Sequence, residues 1–340
     1  MALVRRSGRR RLPTSPIGGE PDAVAMDVLV TGISGFVGHH LAQTLAADGH
    51  RVAGLVRPDA AESIPVGVTV READITDADA VRSVFAAAQP DAVIHLAGAA
   101  SVGASFADPV ATWAVNLGGT LSVLEAARAL AEPPRLLVIT SGEIYGQVAG
   151  SALPVTEATL LSPISPYGAS KAAADLAAGQ YHLGYGLPVL RVRAFNHIGP
   201  GQDARFVLPN VARQIAQAEH EQLDHVDIQI GNLTTRRDFT DVRDVVRAYS
   251  ALLGAGTPGA PYLVCSGRSL AIQDLIERLV QMTRVDVRLV RSSTLVRGGE
   301  QPDLYGDAHR LTAETGWQPE IGLDQTLVDT LDWWRARVAE

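Results

Sequence analysis

The sequence predicts an α/β protein in which a doubly wound parallel sheet is joined to a smaller mixed α/β domain at the carboxyl-terminal end. Short apolar strands alternate with helices from a glycine-rich junction near the start, and beyond residue 198 the pattern changes to short helices and isolated strands. Such alternation is typical of parallel sheets that carry helices on both faces. We divide the chain into a basic tail at 1–25, a first domain at 26–198 and a second domain at 199–340, with 241–255 expected to pack back on the first.

Composition excludes several other classes of protein. The 340 residues are 46% hydrophobic and 19% charged, which suits a globular chain with one large and one smaller domain. The net charge of −8 argues against nucleic acid as a partner, because that surface needs clustered basic side chains. No apolar run reaches the roughly 18 residues of a membrane span. The single cysteine, Cys265, excludes an internal disulfide and favours a reducing cytoplasm.

The first 25 residues differ from the rest of the chain. Five arginines lie between residues 5 and 11, prolines and glycines follow, and no apolar stretch resembles a signal peptide. This composition predicts a disordered tail. Attachment to nucleic acid or a membrane through the arginines is a weaker alternative, and a third is that Met26 is the natural start.

The apolar periodicity predicts the individual elements in order. The predicted strands cover 27–31, 51–56, 68–70, 92–96, 135–140, 187–192, 226–230 and 285–290. The first predicted helix begins at Phe36 and stops at Gly49. The later predicted helices cover 77–88, 108–130, 166–184, 206–218, 242–253 and 272–282.

The junction after the first strand has the features of an anion-binding turn. Gly32, Gly35 and Gly38 are spaced three apart, where a tight turn leads into the helix that begins at Phe36. Free N–H groups at a helix start favour a pyrophosphate, although a glycine-rich turn without a ligand is the alternative. The residues expected to line a dinucleotide are Gly32, Ser34, Gly35, Phe36, Val37, Gly38, Arg57, Asp74, Ile75, Leu96, Ala97 and Gly98.

Arg57 indicates which dinucleotide binds. It ends the second predicted strand, about 20 residues past the glycines, where an acidic residue would bind a ribose 2′-hydroxyl. An arginine there would neutralise a 2′-phosphate, so NADP(H) is favoured over NAD(H), although a solvated arginine at a strand end is also possible.

Candidate catalytic residues follow the fifth predicted strand. Ser141 and Glu143 lie at its carboxyl end, the edge at which ligands of open α/β sheets bind. Tyr167 and Lys171 are four apart and share one face of a helix. A cation beside a phenol should lower the pKa of that phenol toward the range of an acid–base catalyst. The histidines show no metal-ligand spacing, so we expect no metal site.

These residues together resemble the extended short-chain dehydrogenase/reductases that act on nucleotide sugars. The resemblance is carried by 32–38, Ser141, Tyr167 and Lys171, and it extends over residues 26 to about 338. Members of this family have a Rossmann domain that binds the dinucleotide and a smaller carboxyl-terminal domain that holds the substrate nucleotide. The resemblance therefore implies an NADP-dependent nucleotide-sugar oxidoreductase.

Three stretches, at 194–202, 231–244 and 297–300, are similar to the branch of GDP-mannose 4,6-dehydratases and GDP-6-deoxy-4-keto-D-lyxo-hexose reductases. The chain is more similar to the reductases, which form GDP-D-rhamnose. Dehydratases have Thr-Ser-Glu where this chain has Ser-Gly-Glu at 141–143, an arginine pair with a serine-rich loop where it has Arg-Pro-Asp at 57–59, and a more basic segment after the Asn-His pair.

The reductase resemblance leaves two alternatives. Glu143 matches the base with which dehydratases remove a sugar C5 proton, so a 4,6-dehydratase or 4-epimerase is the first alternative. A non-catalytic dinucleotide-binding regulator is the second, although it would not need Ser141, Tyr167 and Lys171 together.

The family resemblance also implies roles for individual residues. Tyr167 would donate a proton, Lys171 would hold the nicotinamide ribose, Ser141 would bind the sugar oxygen and His197 would lie near the nicotinamide. The residues that would bind the nucleotide sugar are Ser101, Asn196, Val207, Arg237, Arg297 and Glu300, the two arginines at phosphate oxygens. The favoured substrate is GDP-4-keto-6-deoxymannose, and a homodimer through the helices at 108–130 and 166–184 is expected.

Overall fold

The computed structural model describes residues 25–58, 64–292 and 301–339. The basic tail up to residue 24 and the candidate substrate residues Arg297 and Glu300 lie outside this description. Within the described part of the chain, no helix is long and apolar enough to cross a bilayer.

The elements follow the predicted order closely. The strands are β1 (Asp27–Thr31), β2 (Arg51–Val56), β3 (Thr69–Glu72), β4 (Ala92–His95), β5 (Arg135–Ser141), β6 (Val189–Ala194), β7 (Asn196–Ile198), β8 (His225–Ile230), β9 (Arg236–Arg237), β10 (Phe239–Asp241), β11 (Pro261–Val264), β12 (Leu270–Ala271), β13 (Asp286–Arg291) and β14 (Asp303–Leu304). The helices are α1 (Phe36–Ala47), α2 (Ala78–Ala88), α3 (Val102–Ala107), α4 (Pro109–Trp113), α5 (Gly119–Arg128), α6 (Pro166–Tyr185), α7 (Val207–His220), α8 (Val242–Ala255), α9 (Ile272–Val280), α10 (His309–Thr315) and α11 (Leu323–Val338).

The large sheet of the described chain is parallel, with seven strands in the order β11-β6-β5-β4-β1-β2-β3. The predicted doubly wound α/β fold is therefore confirmed. β1 pairs with β2 on one side and with β4 on the other, so the direction of winding reverses between β1 and β4. Ligands of such sheets bind beyond the carboxyl ends of the strands at this reversal.

The core of this sheet has two faces. Val30 on β1 packs with residues of α1 and α8 on one face, and Leu29 packs with residues of α2 and α5 on the other. Both side chains are fully buried, and each contributes about 1.5–3 kcal/mol to the free energy of unfolding. Because successive side chains of a strand point to opposite faces of the sheet, β1 packs against a layer of helices on each face.

The predicted helix over 108–130 is present as an unbroken helical run from Pro109 to Arg128, with a π-helical segment in its middle. The chain there forms α4, a π-helical segment at Ala114–Gly118 and α5, with α3 ending just before them. Pro109 has no N–H with which to continue α3, and Asp108 instead caps α4 by accepting a hydrogen bond from Ala111 N at 3.0 Å. The π-helical segment turns Asn116 inward, where it is buried.

A separate core lies in the second half of the chain. There α7, α9 and α11 pack around the parallel pair formed by β8 and β13. However, β11 returns to the edge of the large sheet beside β6, and β7 pairs with β10. The division at residue 198 stays a prediction, since the large sheet also takes a strand from beyond it.

Candidate active site

The glycine junction between β1 and α1 is shaped by close backbone contacts. Gly32 has φ of +74°, and a Cβ there would lie 2.8 Å from Ala97 N. A Cβ on Gly38 would lie 2.4 Å from the carbonyl oxygen of Ile33. Gly35 immediately precedes α1 and provides no side-chain cap. The helix start therefore presents backbone N–H groups next to the small residues at 96–98, an arrangement that suits a pyrophosphate.

The end of the neighbouring strand β2 carries an arginine whose charge acts on an aspartate. Arg57 is exposed at the end of β2, and its charge contributes to lowering the pKa of Asp74. The larger cause of that shift is Thr76, whose Oγ1 and N donate hydrogen bonds to Asp74 Oδ1 at 2.7 and 2.8 Å. Ile75 is buried between these residues and α5. An exposed guanidinium at this strand end is the kind of group that pairs with a phosphate.

A chain of buried polar groups runs beneath this junction. His95 at the end of β4 lies with Nδ1 2.7 Å from Thr31 Oγ1 and Nε2 3.0 Å from Thr120 Oγ1. Thr120 Oγ1 in turn donates to Asn116 O at 2.6 Å. Burial, with a smaller effect of the Lys171 charge, lowers the pKa of His95 to about 3, so the imidazole is neutral at physiological pH.

Asn116 connects this network to α6, and sequence reasoning missed it. Its Oδ1 accepts from Ala99 N at 2.8 Å, and its Nδ2 donates to Ala99 O at 3.2 Å and to Ser170 Oγ at 2.9 Å. A Cβ on Gly98 would lie 2.9 Å from Asn116 Oδ1 and 3.1 Å from Lys171 Nζ. One feature of the sequence could have identified this residue. It is an asparagine among apolar residues of a predicted helix, and a buried asparagine side chain needs hydrogen-bond partners.

Ser141, Tyr167 and Lys171 lie together at the carboxyl end of β5. Ser165 caps α6 by accepting from Gly168 N at 3.0 Å, which places Tyr167 in the first turn of the helix. The Ser141 side chain lies beside the Tyr167 phenol, close enough to oppose the rise of its pKa. One turn further, the buried Lys171 donates from Nζ to Ile139 O at 3.0 Å.

The pKa that the sequence led us to expect for Tyr167 is wrong in direction. Burial raises the pKa of the phenol to about 12, the Ser141 side chain opposes that shift, and the charge of Glu143 adds to it. Lys171 does not lower it, because its ammonium faces the carbonyl of Ile139. Burial also lowers the pKa of Lys171 to about 8. The phenol of this structure therefore keeps its proton, as an acid catalyst must.

Glu143 and Arg237 come together beside this site, although they are far apart in the sequence. Glu143 follows Ser141 in a short 3₁₀ turn, and its N–H donates to Ser141 Oγ at 3.1 Å. Arg237 Nε lies 3.8 Å from Glu143 Oε1. A candidate catalytic carboxylate and a candidate phosphate-binding guanidinium therefore form one partly buried pair.

Of the remaining candidates, His197 and Leu96 lie next to the glycine junction. His197 stacks on Phe36 at the start of α1, with ring centroids 6.0 Å apart, and its Nδ1 lies 3.0 Å from Phe195 O. Its neighbour Asn196 also lies on β7, and Val207 is the first residue of α7. Elsewhere Ser101 caps α3, accepting from Ala104 N at 3.2 Å, and Leu96 adjoins the glycine junction. Among the described residues, no cluster of His, Cys, Asp or Glu is arranged to hold a metal ion.

The parallel sheet, the glycine junction and the Ser-Tyr-Lys set at the end of β5 together define a short-chain dehydrogenase/reductase of the extended type. The sequence profile of the GDP-mannose 4,6 dehydratase family matches residues 29–330. The chain belongs to that family, and the resemblance found in its sequence is confirmed.

Individual relatives cover nearly the whole chain. The chain is 41% identical over 313 residues to the GDP-6-deoxy-D-mannose reductase of Pseudomonas aeruginosa, a match that spans 92% of this chain and 98% of the relative. The solved structure of RMD from Pseudomonas aeruginosa complexed with NADPH superposes with a TM-score of 0.80 at 39% identity, over 92% of this chain and 100% of that one. UDP-glucose 4-epimerase from Thermotoga maritima, solved with UDP-glucose, gives a TM-score of 0.83 at 26% identity, with coverage of 92% and 100%. Since one fold serves both a reductase and an epimerase, the activity must be argued from the site.

Proposed function

We propose that the protein reduces the C4 keto group of a GDP-4-keto-6-deoxyhexose with NADPH, giving a GDP-6-deoxyhexose such as GDP-D-rhamnose. The observation that carries this proposal is the placement of Ser141, Tyr167 and Lys171 at the carboxyl end of β5, with Tyr167 in the first turn of α6 and Lys171 one turn further along. The 41% identity to a GDP-6-deoxy-D-mannose reductase supports the choice of substrate.

The residues of the chain supply the proton and the charge stabilisation of this reaction. NADPH, when bound, supplies the hydride that adds to the sugar C4 and is itself oxidised to NADP⁺. Tyr167 delivers its phenolic proton to the C4 oxygen, and Ser141 donates a hydrogen bond to the same oxygen as negative charge develops there. Tyr167 then takes a proton from solvent, so each turnover consumes one NADPH and one proton.

The cofactor and the substrate would meet beyond the carboxyl ends of the strands. The glycine junction would hold the pyrophosphate of NADP(H), Arg57 the 2′-phosphate and Lys171 the nicotinamide ribose. Arg237 would bind the diphosphate of the nucleotide sugar. Ser101, Asn196, Val207, Arg297 and Glu300 remain proposed substrate contacts.

Reduction assays with wild-type protein test the proposal. Freshly prepared GDP-4-keto-6-deoxymannose should cause stoichiometric loss of NADPH absorbance, and NMR of the product should show a 6-deoxyhexose with a C4 hydroxyl. No loss of NADPH in the presence of the keto sugar would overturn the proposal. Conversion of GDP-mannose without net NADPH consumption would instead favour a 4,6-dehydratase.

Arg57→Ala is expected to raise KM for NADPH by about tenfold or more, because a charge-assisted bond to a phosphate is lost, with little change in KM for NADH. Steady-state kinetics with each dinucleotide measure the ratio. Arg82→Ala is a matched control, since Arg82 is an exposed arginine on α2 that pairs with Asp79 at 3.2 Å. Equal changes in both KM values would contradict a 2′-phosphate site at Arg57.

The low pKa of Lys171 predicts a pH dependence. A lysine is charged below its pKa and loses the charge as the pH rises through it, which for Lys171 happens near pH 8. Because kcat/KM reports the free enzyme, we expect kcat/KM for NADPH to fall about threefold or more above that pH. Lys171→Arg keeps its proton throughout and should lose this alkaline limb, although its overall rate is lower. If kcat/KM fell in the same way above that pH in both proteins, the fall would be due to a group other than Lys171.

We also propose that two copies of the chain associate through the helices at 108–130 and 166–184, together with the neighbouring α3. These neighbouring helices expose Phe106 (54%), Val110 (78%), Leu176 (61%) and Leu183 (86%), a set of apolar side chains suited to a second copy. Light scattering in solution tests the association, and the mass of a monomer would overturn it. The cytoplasm stays the proposed location, because a single cysteine suits a reducing compartment.

A further inference from the structure

The pairing of Glu143 with Arg237 calls for an explanation that the reduction does not give. Reduction of a ketone needs one hydride and one proton, and Tyr167 supplies the proton. Reduction removes no proton from carbon, so it contains no step at sugar C5 for a carboxylate base. Glu143 nevertheless lies two residues from Ser141, with 22% of its side chain exposed and its carboxylate turned to Arg237.

The contacts of Arg237 show what holds its guanidinium. Nη1 donates to Arg236 O and to Gln301 O, both at 2.8 Å, and Nε faces Glu143 Oε1 at 3.8 Å. Only 12% of the Arg237 side chain is exposed. Two backbone hydrogen bonds hold Nη1, and the Glu143 carboxylate faces Nε as an ion pair at 3.8 Å, beyond hydrogen-bond distance. A planar guanidinium that is restricted in this way is suited to diphosphate recognition.

We propose that Glu143 is a positioning residue, which orients Arg237 toward the substrate diphosphate, and that it is not a base in this protein. This inference rests on the proposed function, because it assigns the diphosphate of the nucleotide sugar to Arg237. It also explains why the carboxylate is present next to Ser141 in a site whose reaction removes no proton from carbon. Glu143 thereby determines affinity for the nucleotide and has no part in proton transfer.

Steady-state kinetics of Glu143→Gln test the proposal. We expect KM for the GDP-keto sugar to rise about fivefold, which corresponds to about 1 kcal/mol, while kcat falls less than about twofold. Glu143→Asp keeps the charge but moves it away from Arg237 Nε. Its KM should lie between those of the wild-type protein and Glu143→Gln. Glu132→Gln is the matched control, because Glu132 is exposed at the opposite end of β5. Glu132→Gln should leave both KM for the GDP-keto sugar and kcat unchanged.

A double-mutant cycle shows whether the two residues act as one unit. Arg237→Gln should raise KM more than Glu143→Gln does, and adding Glu143→Gln to it should have no further effect. Independent, additive effects on KM would overturn the proposal. A fall in kcat of about a hundredfold or more in Glu143→Gln, or conversion of GDP-mannose to a keto sugar that this variant abolishes, would also overturn it, because either result makes Glu143 a base.

Binding of GDP separates this inference from the proposed function. Isothermal titration of GDP needs no turnover, and Glu143→Gln should weaken its Kd by about the same factor as it raises KM. An unchanged Kd would overturn the inference even if the wild-type protein reduces the keto sugar. A weakened Kd in a protein that does not oxidise NADPH would overturn the proposed reaction and leave the role of Glu143 standing. Thermal melting of each variant checks that it is folded.

Discussion

Tyr167→Phe is expected to lower kcat for NADPH oxidation by about 10³-fold, while Kd for NADPH changes less than about threefold. The phenol is the group that can deliver a proton to the carbonyl oxygen, and at a pKa near 12 it is fully protonated over the working range. Phenylalanine keeps the ring and its packing at the start of α6 but has no proton to give. Kinetics at 340 nm and a fluorescence titration with NADPH measure the two quantities.

Tyr185→Phe provides the control, because Tyr185 lies on the same helix and is 56% exposed. It should keep full activity. If Tyr167→Phe retained more than about a tenth of the wild-type kcat, Tyr167 would not be the acid. A non-catalytic dinucleotide regulator would show no dependence on this hydroxyl at all, so the same variant also tests that alternative.

Gly38→Ala is expected to weaken NADPH binding about tenfold or more and to lower the free energy of unfolding by about 2 kcal/mol. The added Cβ would meet three backbone atoms of Ile33, the carbonyl oxygen at 2.4 Å and two carbons at 2.6 Å. Backbone atoms cannot rotate away, so the start of α1 must move off β1 and change the shape of the glycine junction. Fluorescence titration and thermal melting measure the two effects.

Gly254→Ala makes the same chemical change in another helix. Gly254 lies near the exposed end of α8, and a Cβ there meets nothing within 4 Å. Alanine at that position should leave NADPH binding unaltered and stabilise the protein by about 0.5–1 kcal/mol, because glycine is the poorer helix former. Wild-type affinity in Gly38→Ala would mean that the junction does not hold the cofactor.

Local sequence patterns predicted most of the large sheet. The strand before Gly32 and the helix after it each depend on residues within a few positions of one another, which a linear pattern contains. The same is true of the Tyr167 and Lys171 spacing, because a helix brings positions four apart onto one face.

Local sequence patterns could not predict the features that depend on residues far apart in the chain. The π-helical segment around Asn116 has the same apolar spacing as an ordinary helix, and its buried amide bonds to Ala99 and Ser170 across the fold. The pKa of Tyr167 follows from burial, which no spacing reveals. The pair of Glu143 and Arg237 joins two segments that only the tertiary structure brings together.

The position of β11 has a consequence for how the protein is made. The outer edge of β6 receives its neighbour from residues 261–264, which leave the ribosome only after α7 and α8. Until then the nascent sheet has an open edge whose unpaired N–H and C=O groups can pair with another strand. A shortened gene that ended before β11 would yield an aggregation-prone fragment in place of an independent cofactor-binding module.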